Sequence, residues 1–155
     1  MREQEAGYGA ALPGPIYCHT SALLKLYFRE PGSDEFNRLV EGRADLVLSD
    51  LGVTELVSAL ARRVDQRTVA RDVARRAQQT IIRSLDDGTY HRVELTREVH
   101  RRAEDFLLRF APPPLRAADA LHLALATYAR AAAIASFDRR LGTAARAVGF
   151  ATYPP

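Results

Sequence analysis

Two acidic residues of this 155-residue chain, Glu55 and Asp119, lie in apolar sequence rather than in the charged stretches where acids are usual, and a third, Asp138, follows an apolar run. Glu55 is set among valines and a leucine, Asp119 lies in the run AADALHLALA, and Asp138 closes the run IASFD. Carboxylates in such surroundings are retained where a cation or a catalytic task keeps them. These three acids are therefore the first candidates for chemistry.

Several carboxylates without a histidine-cysteine pattern favour oxygen ligation of Mg²⁺ or Mn²⁺ over a zinc site. Such an ion lowers the pKa of an attacking water and neutralises charge on a phosphate, which is the chemistry of phosphodiester hydrolysis. The structural alternative is that Glu55 and Asp119 are helix-start acids and that Asp138 is an N-cap. Each acid taken alone fits that alternative better, so the functional interpretation depends on the three acids meeting.

Short apolar runs alternate with helical patterns along the chain, and these elements must position the acids. Runs typical of buried strands occur at residues 16–18, 46–48, 90–95, 134–136 and 150–153. The alternation predicts a three-layer α/β/α fold with a central parallel sheet and right-handed crossovers. Ligands of such sheets bind beyond the carboxyl ends of the strands. His19, Glu55, Asp119 and Asp138 are expected to gather there.

Length and composition indicate one globular domain. With 47% hydrophobic and 26% charged residues, the chain can bury a core without disulfides or structural metals. We expect a single domain over residues 15–155, preceded by a flexible tail at 1–14 that lacks the apolar core of a secretory signal. The most apolar later stretch, 117–137, is interrupted by charges, so no membrane segment is predicted.

One cysteine, Cys18, excludes an internal disulfide and makes a reducing cytoplasm the default compartment. The net charge of +3 permits a nucleic-acid partner without requiring one.

A helical pattern over 66–85 is rich in arginine, and four arginines recur at every fourth residue: Arg63, Arg67, Arg71 and Arg75. These four form either a phosphate-binding stripe or a solvated face balanced by Asp65 and Asp72.

Four segments together resemble PIN-domain ribonucleases of the VapC toxin type. They are IYCHTSALLKLYFREPGS, LSDLGVTELVSALARR around Glu55, LRAADALHLALA around Asp119, and IASFDRRLGTAARAVGF around Asp138. The resemblance covers nearly everything from Ile16 onward, and the ALHLA element beside an acid is fairly specific. It implies a PIN-like parallel sheet and an endoribonuclease that cleaves RNA through a metal-activated water.

The resemblance also assigns roles to individual residues. Glu55, Asp119 and Asp138 would be catalytic acids that bind Mg²⁺ or Mn²⁺. Thr20 and Ser21, predicted together with Arg116 to bind substrate, would be the polar pair that helps position the metal site. Arg116 precedes Asp119 and is a candidate for an RNA phosphate or an acidic residue of a partner. The family further implies a homodimer and a cognate antitoxin that inserts a peptide into the active-site groove.

His19 departs from the family, which has aspartate at this position as a central metal ligand. Imidazole offers a nitrogen to a metal but no negative charge, and Mg²⁺ prefers oxygen. Three explanations remain: a substitution introduced to silence a toxic nuclease, an escape mutation, or a natural variant that uses Mn²⁺ or another softer ion. Inactivation by either route ranks above adaptation. The alternative function is a catalytically inactive PIN-fold protein that binds antitoxin or RNA.

Two further expectations concern the site's histidines and its charge. Because gathered acids repel one another, at least one of them should have a raised pKa, and His19 beside them should be easier to protonate than usual. His122 lies three residues after Asp119 and could share its helix face. A histidine in an alanine-leucine helix is, however, more often a packed or hydrogen-bonded core residue.

Overall fold

Five short strands form one parallel sheet in the computed structural model, which describes residues 11–110 and 115–155. The strands are β1 (Ile16–Cys18), β2 (Leu46–Ser49), β3 (His91–Val93), β4 (Ala133–Ala135) and β5 (Ala151–Tyr153). Their order is β3-β2-β1-β4-β5, and every neighbouring pair is parallel. The direction of strand addition reverses at β1, so the topological switch point lies between β1 and β4. This architecture confirms the predicted α/β fold.

Seven helices connect and cover these strands within the described residues. They are α1 (Thr20–Tyr27), α2 (Ser33–Val40), α3 (Asp50–Asp65), α4 (Arg71–Asp86), α5 (Arg97–Arg109), α6 (Ala117–Tyr128) and α7 (Arg139–Ala147). None of the helices in this part of the chain is long and apolar enough to cross a membrane.

Alternation of side chains along the strands produces the two outer layers. In β1, Ile16 and Cys18 face the core beneath α1 to α4, whereas Tyr17 faces the core beneath α5 to α7. The same alternation separates Leu46 from Val47 in β2. The sheet is therefore buried on both faces, which explains why its strands are continuous apolar runs.

Polar residues that end or follow three of the strands cap the helices that come next. The side chain of His19 caps α1 by accepting from the Ser21 amide, and that of Ser49 caps α3 by accepting from the Gly52 amide. Asp138 caps α7. This confirms the N-cap interpretation for Asp138, but the helix-start interpretation is wrong for Glu55, which lies beyond the first turn of α3.

The single arginine-rich helix predicted over 66–85 is wrong at its start. Helix α3 continues to Asp65, and α4 begins only at Arg71. Arg67 adopts a left-handed backbone with φ of 59°, and the Thr68 amide closes onto the Arg63 carbonyl. The four arginines thus do not share one helix. Arg63 is instead paired with Glu30.

Of the predicted flexible tail at 1–14, residues 1–10 lie outside the described residues. In the described part, Leu12 packs against the core beneath α1 to α4, and its carbonyl accepts a hydrogen bond from Arg43 at 2.9 Å. The boundary proposed at residue 15 stays a prediction.

Substitutions at Leu56 and Leu108 together test which leucine side chains belong to the buried core between the helices and the sheet. Leu56 is fully buried beneath α3, whereas Leu108 in α5 is 91% exposed. Leu56→Ala should lower the free energy of unfolding by about 2–5 kcal/mol because it opens a cavity. Leu108→Ala should change it by no more than about 0.5 kcal/mol. Urea unfolding followed by circular dichroism measures both, and equal losses would contradict the assignment.

Candidate active site

His19 lies at the carboxyl end of β1, at the switch point, where it joins three elements. Its amide donates to the Ala135 carbonyl at 2.9 Å. Its ring nitrogen Nδ1 lies 2.9 Å from the Ser21 hydroxyl and 3.2 Å from the Ser136 hydroxyl. The ring is thereby fixed between the start of α1 and the end of β4.

Glu55 projects from α3 to the same place. Its Oε2 accepts a hydrogen bond from the Thr20 hydroxyl at 2.6 Å and lies 2.7 Å from Nε2 of His122. Burial alone would raise the pKa of Glu55, but the hydrogen bonds from His122 and Thr20 outweigh it and lower that pKa to about 2. The carboxylate is therefore ionised at neutral pH.

A buried hydrogen-bond chain runs from His122 back to the start of α3. Nδ1 of His122 is 2.7 Å from the Tyr17 hydroxyl, which is 2.9 Å from the Ser49 hydroxyl. The Ser49 oxygen in turn accepts from the Gly52 amide at 3.0 Å. With Nε2 of His122 donating to Glu55, the side chains of His122, Tyr17 and Ser49 can each donate one hydrogen bond and accept another. Glu55 is thus anchored to the beginning of its own helix through two other elements.

His19, Glu55 and His122 form the tightest group of potential ligands in the described residues. One ligand atom from each lies within 4.8 Å of the other two, and the imidazole rings meet edge to face at 4.5 Å. The expectation that His122 is a buried, hydrogen-bonded residue is confirmed. Its contact with Glu55 was nevertheless missed, and the available signal was its spacing of three residues from Asp119 on α6.

Asp119 and Asp138 lie around this group rather than inside it. Asp119 is 7% exposed, and burial followed by the charge of Asp138 raises its pKa; the Arg116 backbone and the charges of His122 and Arg116 oppose this shift. Asp138 directs its Oδ1 at the amides that begin α7. The pKa of Asp119 is raised as expected, but burial is the larger cause and repulsion from Asp138 the smaller one. Membership of both acids in one metal site stays a prediction.

The expectation that His19 is easier to protonate is wrong. Burial, followed by the neighbouring His122, lowers the pKa of His19 to about 4, and the charges of Glu55 and Asp138 offset this only in part. Desolvation exceeds attraction here because the imidazole is 8% exposed. His19 is therefore a neutral imidazole at neutral pH and does not replace a missing cation.

The three residues predicted to bind substrate have different surroundings. Thr20 is buried and holds Glu55, while the Ser21 hydroxyl accepts from the Phe137 amide at 2.8 Å and contacts His19. Both position the site. Arg116 is exposed at the N-terminus of α6, near Asp119. Its contact with a phosphate stays a prediction.

The residues of this site fit a divalent ion in two ways. Glu55, with Asp119 and Asp138 nearby, offers carboxylate oxygens, and His19 with His122 offers imidazole nitrogens. Glu55 and the two histidines already lie together at the carboxyl edge of the parallel sheet, where an ion would be placed to bind beside a phosphate.

Residues 16–147 match the family model described as the PIN domain, so the chain belongs to the PIN domain family. Two curated relatives come from Mycobacterium tuberculosis. Ribonuclease VapC46 is 34% identical over 142 residues, covering 90% of this chain and 97% of the relative. Ribonuclease VapC47 is 33% identical over 146 residues, covering 90% and 96%.

Solved structures share the fold at lower identity. VapC20 of M. tuberculosis, described as a sarcin-ricin loop cleaving toxin, has a TM-score of 0.68 and 18% identity, covering 87% of this chain and 95% of that one. FitAcB from Neisseria gonorrhoeae has a TM-score of 0.61 and 16% identity, covering 89% and 96%. These likenesses support the PIN-like architecture.

The depressed pKa of His19 predicts a loss of stability in mild acid. The pKa of the imidazole is about 4 in the folded chain and 6.5 in the unfolded chain. The contribution of the neutral imidazole to the free energy of unfolding is therefore complete above pH 6.5 and is lost as the pH falls to about 4. The loss is about 3 kcal/mol at most. In metal-free buffer, urea unfolding of His19→Asn, which retains an N-cap, should show a smaller decline than the unaltered chain over this range.

The matched control is His100→Asn, at an exposed position of α5. It should leave the decline between pH 6.5 and 4 unchanged. A decline of the same size in His19→Asn and in the unaltered chain would contradict the burial argument.

Proposed function

We propose that this chain is a metal-dependent endoribonuclease toxin of a toxin–antitoxin pair. The observation that carries the proposal is the ionised Glu55 carboxylate, held by Thr20 and His122 at the carboxyl edge of a PIN-domain sheet, with Asp119 three residues before His122 in α6. Relatives at 33% and 34% identity that are named ribonucleases support RNA as the substrate. The reaction would be hydrolysis of a phosphodiester bond.

Glu55, Asp119, Asp138 and His19 are the proposed catalytic and metal-binding residues, with Mg²⁺ or Mn²⁺ as the ion. A divalent ion in such a site lowers the pKa of the attacking water and neutralises charge on the phosphate. Thr20 and His122 keep Glu55 ionised and aimed, Ser21 holds the His19 ring, and exposed Arg116 would receive the RNA backbone.

The histidine at position 19 should weaken activity supported by Mg²⁺. It supplies neither the negative charge nor the oxygen of the family's aspartate, and its burial keeps it neutral. The proposed active site therefore has one carboxylate fewer than the family pattern.

The proposed partners follow the family: a cognate antitoxin that inserts a peptide into the active-site groove, and a second copy of this chain in a homodimer. A cytoplasmic location is proposed with them. It is supported by Cys18, whose thiol is buried and whose pKa burial raises to about 12, so that it behaves as a small apolar core residue.

One observation favours the second candidate, a catalytically inactive PIN-fold protein that binds antitoxin or RNA. His19 caps α1 and contacts the hydroxyls of Ser21 and Ser136, so its structural role is fulfilled without an acid. The fold is thus compatible with the loss of the first metal-binding carboxylate.

His19→Asp distinguishes the two candidates. The substitution returns a short oxygen ligand and a negative charge to the end of β1 while retaining an N-cap. Mg²⁺-dependent cleavage of a fluorescently labelled RNA should rise by orders of magnitude, and the variant should arrest growth of its expression host unless antitoxin is co-expressed. Absence of cleavage in both forms, with Mg²⁺ or Mn²⁺, would favour the inactive binding protein.

Asp119→Asn, made in the His19→Asp background, is the control. It retains size and hydrogen bonding but removes a charge, so cleavage should be abolished while the circular dichroism spectrum is unchanged. Equal cleavage by the unaltered chain and His19→Asp would contradict the weakening assigned to His19.

A further inference from the structure

We propose that His19, His122 and Glu55 bind one divalent transition-metal ion of the manganese-to-zinc series, and that they bind it in preference to Mg²⁺. His122 is the new ligand, and both histidines would bind through Nε2. The inference deepens the proposed function, because it names the class of ion that the same site takes, but metal binding can be measured without RNA cleavage.

The first observation that supports this metal site is that three side chains from different elements converge at one place. The three side chains come from the end of β1, from α3 and from α6, yet their ligand atoms lie within 4.8 Å of one another. Nε2 of His122 and Oε2 of Glu55 are already 2.7 Å apart. Ligands bound to one zinc-sized ion at about 2.1 Å lie roughly 3.4 Å from each other in a tetrahedron. The three ligand atoms are therefore close to the separation that a single ion requires.

The second support is an outer layer of hydrogen bonds that holds the far side of each ligand. Nδ1 of His19 lies against Ser21 and Ser136, and Nδ1 of His122 lies against the hydroxyl of Tyr17. These contacts leave Nε2 of each ring as the metal ligand. Histidine ligands in proteins are typically oriented by a hydrogen bond of this kind from the other ring nitrogen.

Metal binding requires each ring to change tautomer. Without metal, Nδ1 of His19 accepts from the Ser21 amide, and Nε2 of His122 donates to Glu55. In the bound form the single ring proton of each imidazole sits on Nδ1, and Nε2 gives its lone pair to the ion. Nδ1 of His19 then donates a hydrogen bond to the hydroxyl of Ser21 or Ser136 and no longer accepts from the Ser21 amide, while Nδ1 of His122 donates to the hydroxyl of Tyr17. The proton of each ring moves from Nε2 to Nδ1, so no proton leaves the protein.

The donor chemistry decides the class of ion. Two imidazoles and one carboxylate suit Mn²⁺, Co²⁺ or Zn²⁺, whose affinities for nitrogen exceed that of Mg²⁺. Mg²⁺ demands oxygen ligands in a near-ideal octahedron and retains its waters. The residues of this group offer only Glu55 as an oxygen ligand. The preference for a transition-metal ion over Mg²⁺ therefore follows from the histidine at position 19 together with His122 on α6.

Cobalt provides a direct readout. Co²⁺ added to the untagged, metal-free full chain should give a visible absorption band from its nitrogen and oxygen ligands that saturates at one equivalent of Co²⁺. Zn²⁺ should displace the bound Co²⁺ and remove the band. A hundredfold excess of Mg²⁺ should leave the spectrum unchanged. Displacement of Co²⁺ by Mg²⁺ would overturn the proposed preference.

Variants assign the ligands. His122→Gln should abolish the cobalt spectrum, and Tyr17→Phe, which retains the buried ring, should weaken Co²⁺ binding by about 10- to 100-fold. His100→Gln, on the exposed face of α5, should bind as the unaltered chain does. Circular dichroism checks folding, and if His122→Gln does not fold, Tyr17→Phe decides. Unchanged binding in a folded His122→Gln, or in Tyr17→Phe, would overturn the assignment of His122.

RNA cleavage measured on the same samples separates the two proposals. Cleavage with Mg²⁺ but no cobalt site at His122 would overturn this inference and leave the ribonuclease intact. A cobalt site that depends on His122, with no RNA cleavage under any ion, would overturn the proposed function and support the metal site.

Discussion

The contact between His122 and Glu55 is the interaction on which the site depends. It joins α6, which lies on one face of the sheet, to α3 on the other, across the carboxyl end of β1. His122 is fully buried, and through Tyr17 and Ser49 it is tied to the first turn of α3. A buried hydrogen bond that is anchored at both ends keeps the carboxylate ionised and fixes its direction.

The other constraint is that the strands are very short and their last polar residues also begin helices. His19 and Ser49 each end a strand or follow one and each accept a backbone amide from the next helix. Capping fixes where each helix starts, and the helix start fixes where Thr20 and Glu55 point. The candidate site and the local stability of α1 and α3 therefore use the same few atoms, and His19 caps its helix because Nδ1 accepts a hydrogen bond.

The fold was predictable because apolar runs and helical spacing alternate so regularly, and the parallel sheet with covered faces follows from that pattern. The site was predictable only in part. The position of Glu55 beyond its strand indicated the correct edge of the sheet, whereas the contact of His122 with Glu55 depends on how α6 packs, which no local pattern contains. The pKa of His19 was predicted with the wrong sign because charge can be counted from sequence but burial cannot. The break after Asp65 was missed since a left-handed arginine at position 67 has no compositional signal.

The separation along the chain of the groups that meet here has a consequence for synthesis. Tyr17 and His122 are 105 residues apart, and Glu55 and His122 are 67 apart. A ribosome delivers the chain from its N-terminus, so the strand and helices that carry His19 and Glu55 emerge long before α6 does. Until α6 docks on the second face of the sheet, the carboxylate of Glu55 has no imidazole partner. The hydrogen-bonded group around Glu55 therefore cannot assemble until most of the chain has left the ribosome.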